Sequence, residues 1–326
     1  MIKAQRYQDI VKRFERLNVA VLGDLMLDEY LWGRATRISP EAPVMVVEVD
    51  RETHAPGGAA NVVANLMALG ARVRVFGVVG KDLAGDRLVS ELKHHGADTA
   101  GIVFDPQRRT TRKTRVLAHN QQALRIDREE TDAIADSTAE GLIGRLSRDL
   151  DDCGALLISD YAKGVLTPVI AAEAIKIAGQ KGILRSANPK PINAQLLAGC
   201  NILSFNQLEA GSLTSGPIDS DQSVSHAIHQ LARRLEVETI VITRGACGLS
   251  FGGASGDAHH VPAHPVEVAD VAGAGDTVIS VMTMALVVGA SLEESAIIAN
   301  HAAACVVQKV GVATVTIEEL LNDWDD

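Results

Sequence analysis

Apolar and polar positions along the chain switch between two periods, and the switching predicts strands and helices in turn. Val19 to Leu22 is a short unbroken apolar run closed by Gly23-Asp24, which reads as a buried strand. Arg72 to Gly80, Ala155 to Ser159, Gly182 to Leu184, Asn201 to Ser204 and Thr239 to Thr243 read as further strands. Between them Val62, Leu66 and Leu69 recur at helical spacing up to Gly70, and Pro168 to Gly179 makes another helix. Asp82 caps an amphipathic helix that runs to Gly96. Met1 to Asn18 is charged and helix-like, and helices near Leu292 to Val310 and Ile317 to Trp324 close the chain. Strand and helix in alternation predict an α/β fold, a doubly wound, mostly parallel central sheet flanked by helices.

Two stretches depart from that pattern. Arg37 to Pro43 has the character of an irregular loop, Val44 to Val49 is rich in β-branched residues, and Thr110 to Ile126 alternates polar and apolar positions. Insertions at about 29–54 and 104–128 therefore predict a small β-sheet standing off the main body. As a lid it would keep water from a reaction, and as a dimerisation sheet it would join two copies; the two roles are compatible. With no internal repeat, low-complexity segment or long linker, residues 1–326 are expected to form a single domain carrying this lid.

Composition narrows the classes. A net charge of −10 without a basic block disfavours a nucleic-acid partner, and 3% aromatic residues leave little for base stacking. The longest apolar run, Val278 to Ala290, is too short for a bilayer and is interrupted by Ser280 and Thr283, so no membrane span and a cytoplasmic location are expected. Cys153, Cys200, Cys247 and Cys305 lie far apart in apolar or small-residue settings and are expected to be buried thiols.

The chemistry concentrates in Asp270-Val-Ala-Gly-Ala-Gly-Asp-Thr277, just before the Val278 run. Gly273, Ala274 and Gly275 have almost no side chain, so their amides could meet an anion at the start of a helix. Asp276 puts a carboxylate where that anion should bind, which suits a general base; the alternative is a helix N-cap. Near the front, Gly57 and Gly58 permit close approach of a ligand, and Asn61 offers donors and acceptors to sugar hydroxyls or else lies on the helix surface. Polar residues recur after the apolar strands, at Asp28, Asp160, Lys163, Asn206, Glu209, Thr243 and Asp276, where ligands of open α/β sheets bind. Asp28 could also serve as a turn or cap.

Gly57-Gly58-Ala-Ala-Asn61 together with Gly273-Ala-Gly-Asp276 resembles the two signatures of the ribokinase-like (PfkB) carbohydrate kinases, and the resemblance covers essentially the whole chain. Within that family Gly23 to Asp28, Arg37 to Pro43, Asn120-Gln-Gln122 and Ser159 to Gly164 are most similar to heptose 7-phosphate kinases. Those enzymes phosphorylate the anomeric hydroxyl of D-glycero-D-manno-heptose 7-phosphate on the route to ADP-heptose and lipopolysaccharide. The resemblance implies Asp276 as catalytic base, with the Gly273, Ala274 and Gly275 amides as an anion hole. It implies Asp28, Gly57, Gly58, Asn61, Asn120 and Gln122 for the sugar. Arg112, Lys113, Arg115 and Lys163 are candidates for the phosphate that the substrate already carries.

The same resemblance implies Lys190, Asn206, Glu209, Thr243, Gly245 and Asn300 along ATP, with Glu209 holding Mg²⁺ through water and a monovalent cation such as K⁺ near the Gly273 loop. From the strand-like insertions, a homodimer through the lid is expected as well. Two positions depart from the family pattern: Ala272 replaces a Thr, and Asn188 replaces the Asp of Asp-Pro-Lys-Gly. Related bifunctional proteins continue into a cytidylyltransferase-like domain, so the later nucleotidyl transfer is expected from a separate protein. Another sugar kinase of this family and a non-catalytic sugar-phosphate sensor are the alternatives.

Overall fold

In the computed structural model, which describes residues 2–119, 121–214, 216–322 and 324, the unbroken apolar runs become the interior of one large sheet. Helix α1 (Ala4–Lys12) precedes strand β1 (Asn18–Gly23). The long strands β2 (Leu25–Ile38) and β3 (Met45–Gly58) follow, then α2 (Ala59–Ala68), β4 (Arg72–Gly80), α3 (Leu83–His94) and β5 (Ile102–Asp105). A hairpin, β6 (Thr111–Ala118) and β7 (Gln121–Arg128), leads to α4 (Asp136–Arg148), β8 (Ala155–Ser159), α5 (Pro168–Gln180) and β9 (Leu184–Asn188). Next come β10 (Ile202–Asn206), α6 (Gln207–Leu213), α7 (Asp221–Leu235) and β11 (Thr239–Thr243). The hairpin β12 (Leu249–Gly252) and β13 (His259–Val261) precedes α8 (Ala274–Val287), α9 (Leu292–Val307) and α10 (Ile317–Asn322).

The large sheet has the order β13-β12-β11-β10-β9-β8-β1-β4-β5. From β11 to β5 neighbours run parallel, and only the β12–β13 edge is antiparallel. Successive β1 residues serve opposite layers: Val19 and Val21 join the apolar core with α2, α8 and α9, while Ala20 and Leu22 join that of α4, α5 and α7. Burial on both faces explains why these strands show as runs instead of alternation. Oxygen-bearing side chains start the helices: Asp82, Thr167, Ser220 and Ser291 each accept an amide of the first turn.

The second sheet, ordered β3-β2-β6-β7, is the lid. Strands β2 and β6 pair in parallel, and the two outer pairs are antiparallel. Its strands reach deeper into the body than the sequence suggests. Residues 29–38 continue β2, and Gly57-Gly58 are the last two residues of β3. Strand β9 lies at 184–188 instead of 182–184, because Gly182 takes φ 67° and ends the turn after α5. Three cysteines are buried as expected, but Cys247 is exposed in a 3₁₀ turn after β11. Helices α4 and α7 and the β12–β13 hairpin have no counterpart in the sequence reading. Among the described residues no helix is long and apolar enough to cross a membrane.

Candidate active site

The carboxyl ends of β8, β9, β10 and β11 deliver Ser159, Asn188, Asn206 and Thr243 to one edge of the sheet, with Ser159 opposite Asn188 and Asn206 opposite Thr243. Helix α8 starts against this edge. Its N-cap is Gly273 at φ 82°, so Asp276 lies inside the first turn and is not the cap. A side chain at Gly273 would meet the Asn61 amide nitrogen at 2.9 Å, so both backbone angle and space require glycine there.

Asp276 is buried and held by three neutral donors. Asn61 Nδ2 donates to Oδ2 at 2.7 Å, Asn188 Nδ2 donates to Oδ1 at 3.0 Å, and the Tyr161 hydroxyl lies 2.9 Å from both oxygens. Burial pushes the Asp276 carboxyl above the ordinary aspartate value, opposed by these hydrogen bonds and the charge of Lys190. A raised carboxyl in a cleft is what proton abstraction calls for. Asn61 is itself aimed from behind: Asn65 Nδ2 donates to Asn61 Oδ1, and Thr277 Oγ1 donates to Asn65 Oδ1 at 2.7 Å. That chain leaves the Asn61 amide one orientation, NH₂ toward Asp276. Asn61 thus contacts the base, and Asn188, the residue departing from the family pattern, also serves it.

Tyr161 had no assigned role in the sequence, although Asp160 to Gly164 stood out. Two buried carboxylates build its loop. Asp24 accepts the amides of Tyr161, Lys163 and Val165, while Asp160 accepts those of Ala162 and Lys190 and both contacts from the Asn193 amide group. Ala162 and Gly164 take φ 54° and 83° to make the turn. Burial raises the Tyr161 hydroxyl well above its usual value, and the Asp276 charge adds to it, so the group stays a donor.

The amides before Asp276 are shaped by Asp270, which accepts the Ala272 amide at 2.9 Å and the Gly311 amide at 3.1 Å. The Ala274 amide makes a long bond, 3.3 Å, to the Val271 carbonyl. Among the described residues the Gly273 and Gly275 amides have no protein acceptor, which makes them the better anion donors of the three.

On the lid side, Asp28 is buried and paired with Arg115 at 2.6 Å. Gly57 lies against it: a Cβ there would come within 2.6 Å of Asp28 Oδ2. At Gly58 the backbone takes φ 57° as β3 passes into α2. The basic candidates all have carboxylate partners, Arg112 with Glu29, Lys113 with Asp127 and Glu129, and Lys163 with Glu129. Gln122 is exposed on β7, and Asn120 lies outside the described residues. Glu29, Glu52 and His54 bring ligand atoms within 4.8 Å of one another. Arg112 and Arg87 already sit on that cluster, so it reads as an ion-pair network.

On the far side Lys190 Nζ meets Glu209 Oε1 at 2.6 Å. Asn206 and Glu209 form a capping box at the start of α6, Glu209 Oε2 accepting the Asn206 amide. Each Glu209 oxygen thus keeps a further lone pair, which fits contact with a hydrated divalent ion better than direct ligation. Thr243 ends β11, Gly245 takes φ 55° just after it, and buried Asn300 donates to the Pro262 carbonyl at 2.8 Å.

The family described as "pfkB family carbohydrate kinase" matches residues 16–319. Among curated relatives, the bifunctional protein HldE of Geobacter sulfurreducens is 45% identical over 306 residues, covering 94% of this chain and 62% of the relative. The protein of the same name from Citrifermentans bemidjiense is 42% identical over 322 residues, covering 99% and 66%. The chain thus spans just under two thirds of the length of these relatives. Of solved structures, phosphofructokinase-2 from Escherichia coli in complex with potassium superposes with a TM-score of 0.78 at 19% identity, covering 94% of this chain and 97% of that one. Arabidopsis thaliana ribokinase complexed with ribose and ATP gives 0.74 at 20% identity, covering 95% and 100%. At such identities the likeness establishes the ribokinase-like fold.

Proposed function

The chain belongs to the pfkB family of carbohydrate kinases, phosphotransferases acting on a sugar hydroxyl, and from that premise we propose that it transfers the γ-phosphoryl group of ATP to the anomeric C1 hydroxyl of D-glycero-β-D-manno-heptose 7-phosphate. The observation that carries the reading is Asp276, buried, raised in pKa and set in the first turn of α8 beside the free Gly273 and Gly275 amides. The choice of heptose rests on the Arg37 to Pro43 and Ser159 to Gly164 elements, and the HldE relatives are in keeping with it.

In the proposed reaction the C1 hydroxyl donates its proton to Asp276 as its oxygen forms a bond to the γ-phosphorus in line. The bond from that phosphorus to the ADP oxygen breaks, and the proton remains on Asp276 until solvent takes it. Gly273 and Gly275, with Ala274 as a weaker donor, bind the equatorial oxygens of the phosphoryl group, while Lys190 approaches its charge. Asp28, held by Arg115, and the backbone at Gly57-Gly58 orient the sugar, joined by Asn120 and Gln122 from the lid hairpin. Lys163, Lys113 and Arg112 receive the 7-phosphate by exchanging a carboxylate partner for it. Asn206, Thr243, Gly245 and Asn300 would lie along the nucleotide, and Glu209 would hold Mg²⁺ through water. The ion, when bound, spreads the charge that develops between the phosphates. The exposed apolar side chains Ile38, Met45, Val49 and Leu124 on the lid support a homodimer through that sheet.

A coupled ADP-release assay across heptose 7-phosphate, fructose 6-phosphate, ribose and unphosphorylated heptose tests the assignment. Highest kcat/KM with heptose 7-phosphate is expected. Preference for an unphosphorylated sugar overturns the substrate assignment while leaving the kinase.

A further inference from the structure

Asp276 offers roughly four lone-pair positions on its two oxygens. Asn188 takes one on Oδ1 and Asn61 one on Oδ2; Asn61 is directed by Asn65, whereas the buried Asn188 Oδ1 has no hydrogen-bond partner among the described residues. Tyr161 reaches the remaining position on each oxygen, at 2.9 Å in both cases, with a single proton to give. We propose that Tyr161 is a positioning residue for the base, its one proton shared between the two Asp276 oxygens so that one acceptor position stays open to the sugar hydroxyl. This rests on the reading of Asp276 as the base.

The geometry supports more than a packing role. The Tyr161 loop is determined from outside, by the Asp24 and Asp160 carboxylates and the positive-φ turn at Ala162, so the hydroxyl is delivered to Asp276 and not merely resting there. The face of the ring carries Lys190 Nζ, 5.2 Å from its centre, and Lys190 in turn pairs with Glu209. One aromatic ring therefore stands between the base and the cation assigned to the phosphates. As the sugar hydroxyl donates to one Asp276 oxygen, the Tyr161 proton turns to the other, and the carboxylate plane is kept while its charge is neutralised.

The groups facing this carboxylate are Asn61 from α2, Tyr161 from the loop after β8, and Asn188 and Lys190 at the end of β9. Asp28 and Glu209 act on the Tyr161 hydroxyl from further away. Like Asn61, Asn188 and Lys190, Tyr161 lowers the Asp276 pKa against burial, so its removal should move the acidic limb of kcat/KM to higher pH.

The test compares Tyr161→Phe and Asp276→Asn, made in the full chain, by the ADP-release assay from acid to neutral pH, with nucleotide binding measured by calorimetry. For Tyr161→Phe, kcat should fall about ten- to a hundredfold, as for loss of a hydrogen bond to a charged group, with the acidic limb moved up and nucleotide affinity within about twofold. A Tyr161→Phe profile that superimposes on wild type, or a lowered kcat with an unmoved limb, overturns the proposal while an inert Asp276→Asn leaves the base in place. Turnover retained by Asp276→Asn overturns the base itself. Should Tyr161→Phe fold poorly, Asp24→Asn provides the second variant. It loosens the loop without touching the hydroxyl and is expected to lower kcat, with the limb moved in the same direction; an unmoved limb there counts against the proposal equally.

Discussion

Asp276 at the mouth of the large sheet and Asp28 at the root of the lid are both buried aspartates, yet their surroundings are built on different terms. Asp276 is held by two amides and a phenol, none of which carries charge. Asp28 is held by the guanidinium of Arg115, and its neighbour Glu29 by Arg112 and Thr114. Neutral donors fix a carboxylate in direction but leave its charge uncancelled, so burial prevails and the Asp276 pKa rises. A cation cancels the charge and makes a clasp. The first arrangement suits a group that must accept a proton, the second a group held in place by its partner.

The largest effect that tests this contrast is at Asp276. Asp276→Asn should lower kcat by about a thousandfold or more, with sugar binding within a few-fold by calorimetry, since only the proton acceptor is lost. The wild-type acidic limb should lie above the usual aspartate value, activity falling as pH drops through the raised pKa and the base becomes protonated. A limb at or below that value would break the contrast.

Arg115→Met comes next. It leaves Asp28 buried beside an uncharged side chain, so KM for the sugar should rise roughly ten- to a hundredfold and stability should fall by about 3 kcal/mol, with kcat within a few-fold. Equal losses in kcat would mean that Asp28 shares in the chemistry. Gly57→Ala is milder. Its Cβ would push against Asp28 Oδ2 and Cγ, at 2.6 and 2.9 Å, and the pair with Arg115 resists the shift. A rise of about tenfold in sugar KM is expected, with nucleotide KM unmoved.

The same contrast explains what could be read in the sequence. Strands β1, β8 and β11 are buried on both faces and show as unbroken apolar runs, and the helix starts at Asp82 and Pro168 announce themselves by residue type. The glycines of both turns and Asp276 stood out because backbone angles and close approach restrict those positions to few residues. In β2 and β3 the covered positions are partly charged: Asp28, Glu29 and His54 meet Arg115, Arg112 and Arg87, so period-two hydrophobicity is absent there, β2 was not read as a strand and β3 was read too short. Tyr161 and Asn188 lie 115 and 88 residues from Asp276 in the chain, and only the parallel β8–β9 pairing brings them to it.

The smallest expected effect lies farthest from both aspartates. Arg6 on α1 and Glu294 on α9 pair at 2.8 Å with both side chains partly exposed, and the Arg6 guanidinium, with the α9 cap, holds the Glu294 carboxyl down at about 2. A depressed folded pKa means that the stabilisation is fully present above the unfolded glutamate value, about 4.3, and is lost as pH falls toward 2. Exposure and salt screen such a pair, so Glu294→Gln should lower the melting temperature only slightly at neutral pH, and by less in high salt. Near pH 2 the difference from wild type should vanish. Turnover and both KM values should not change, because this pair shares no residue with either aspartate's surroundings. A kinetic effect of Glu294→Gln would show that α9 transmits to the cleft, and the two aspartates could then no longer be treated as governed by their own contacts alone.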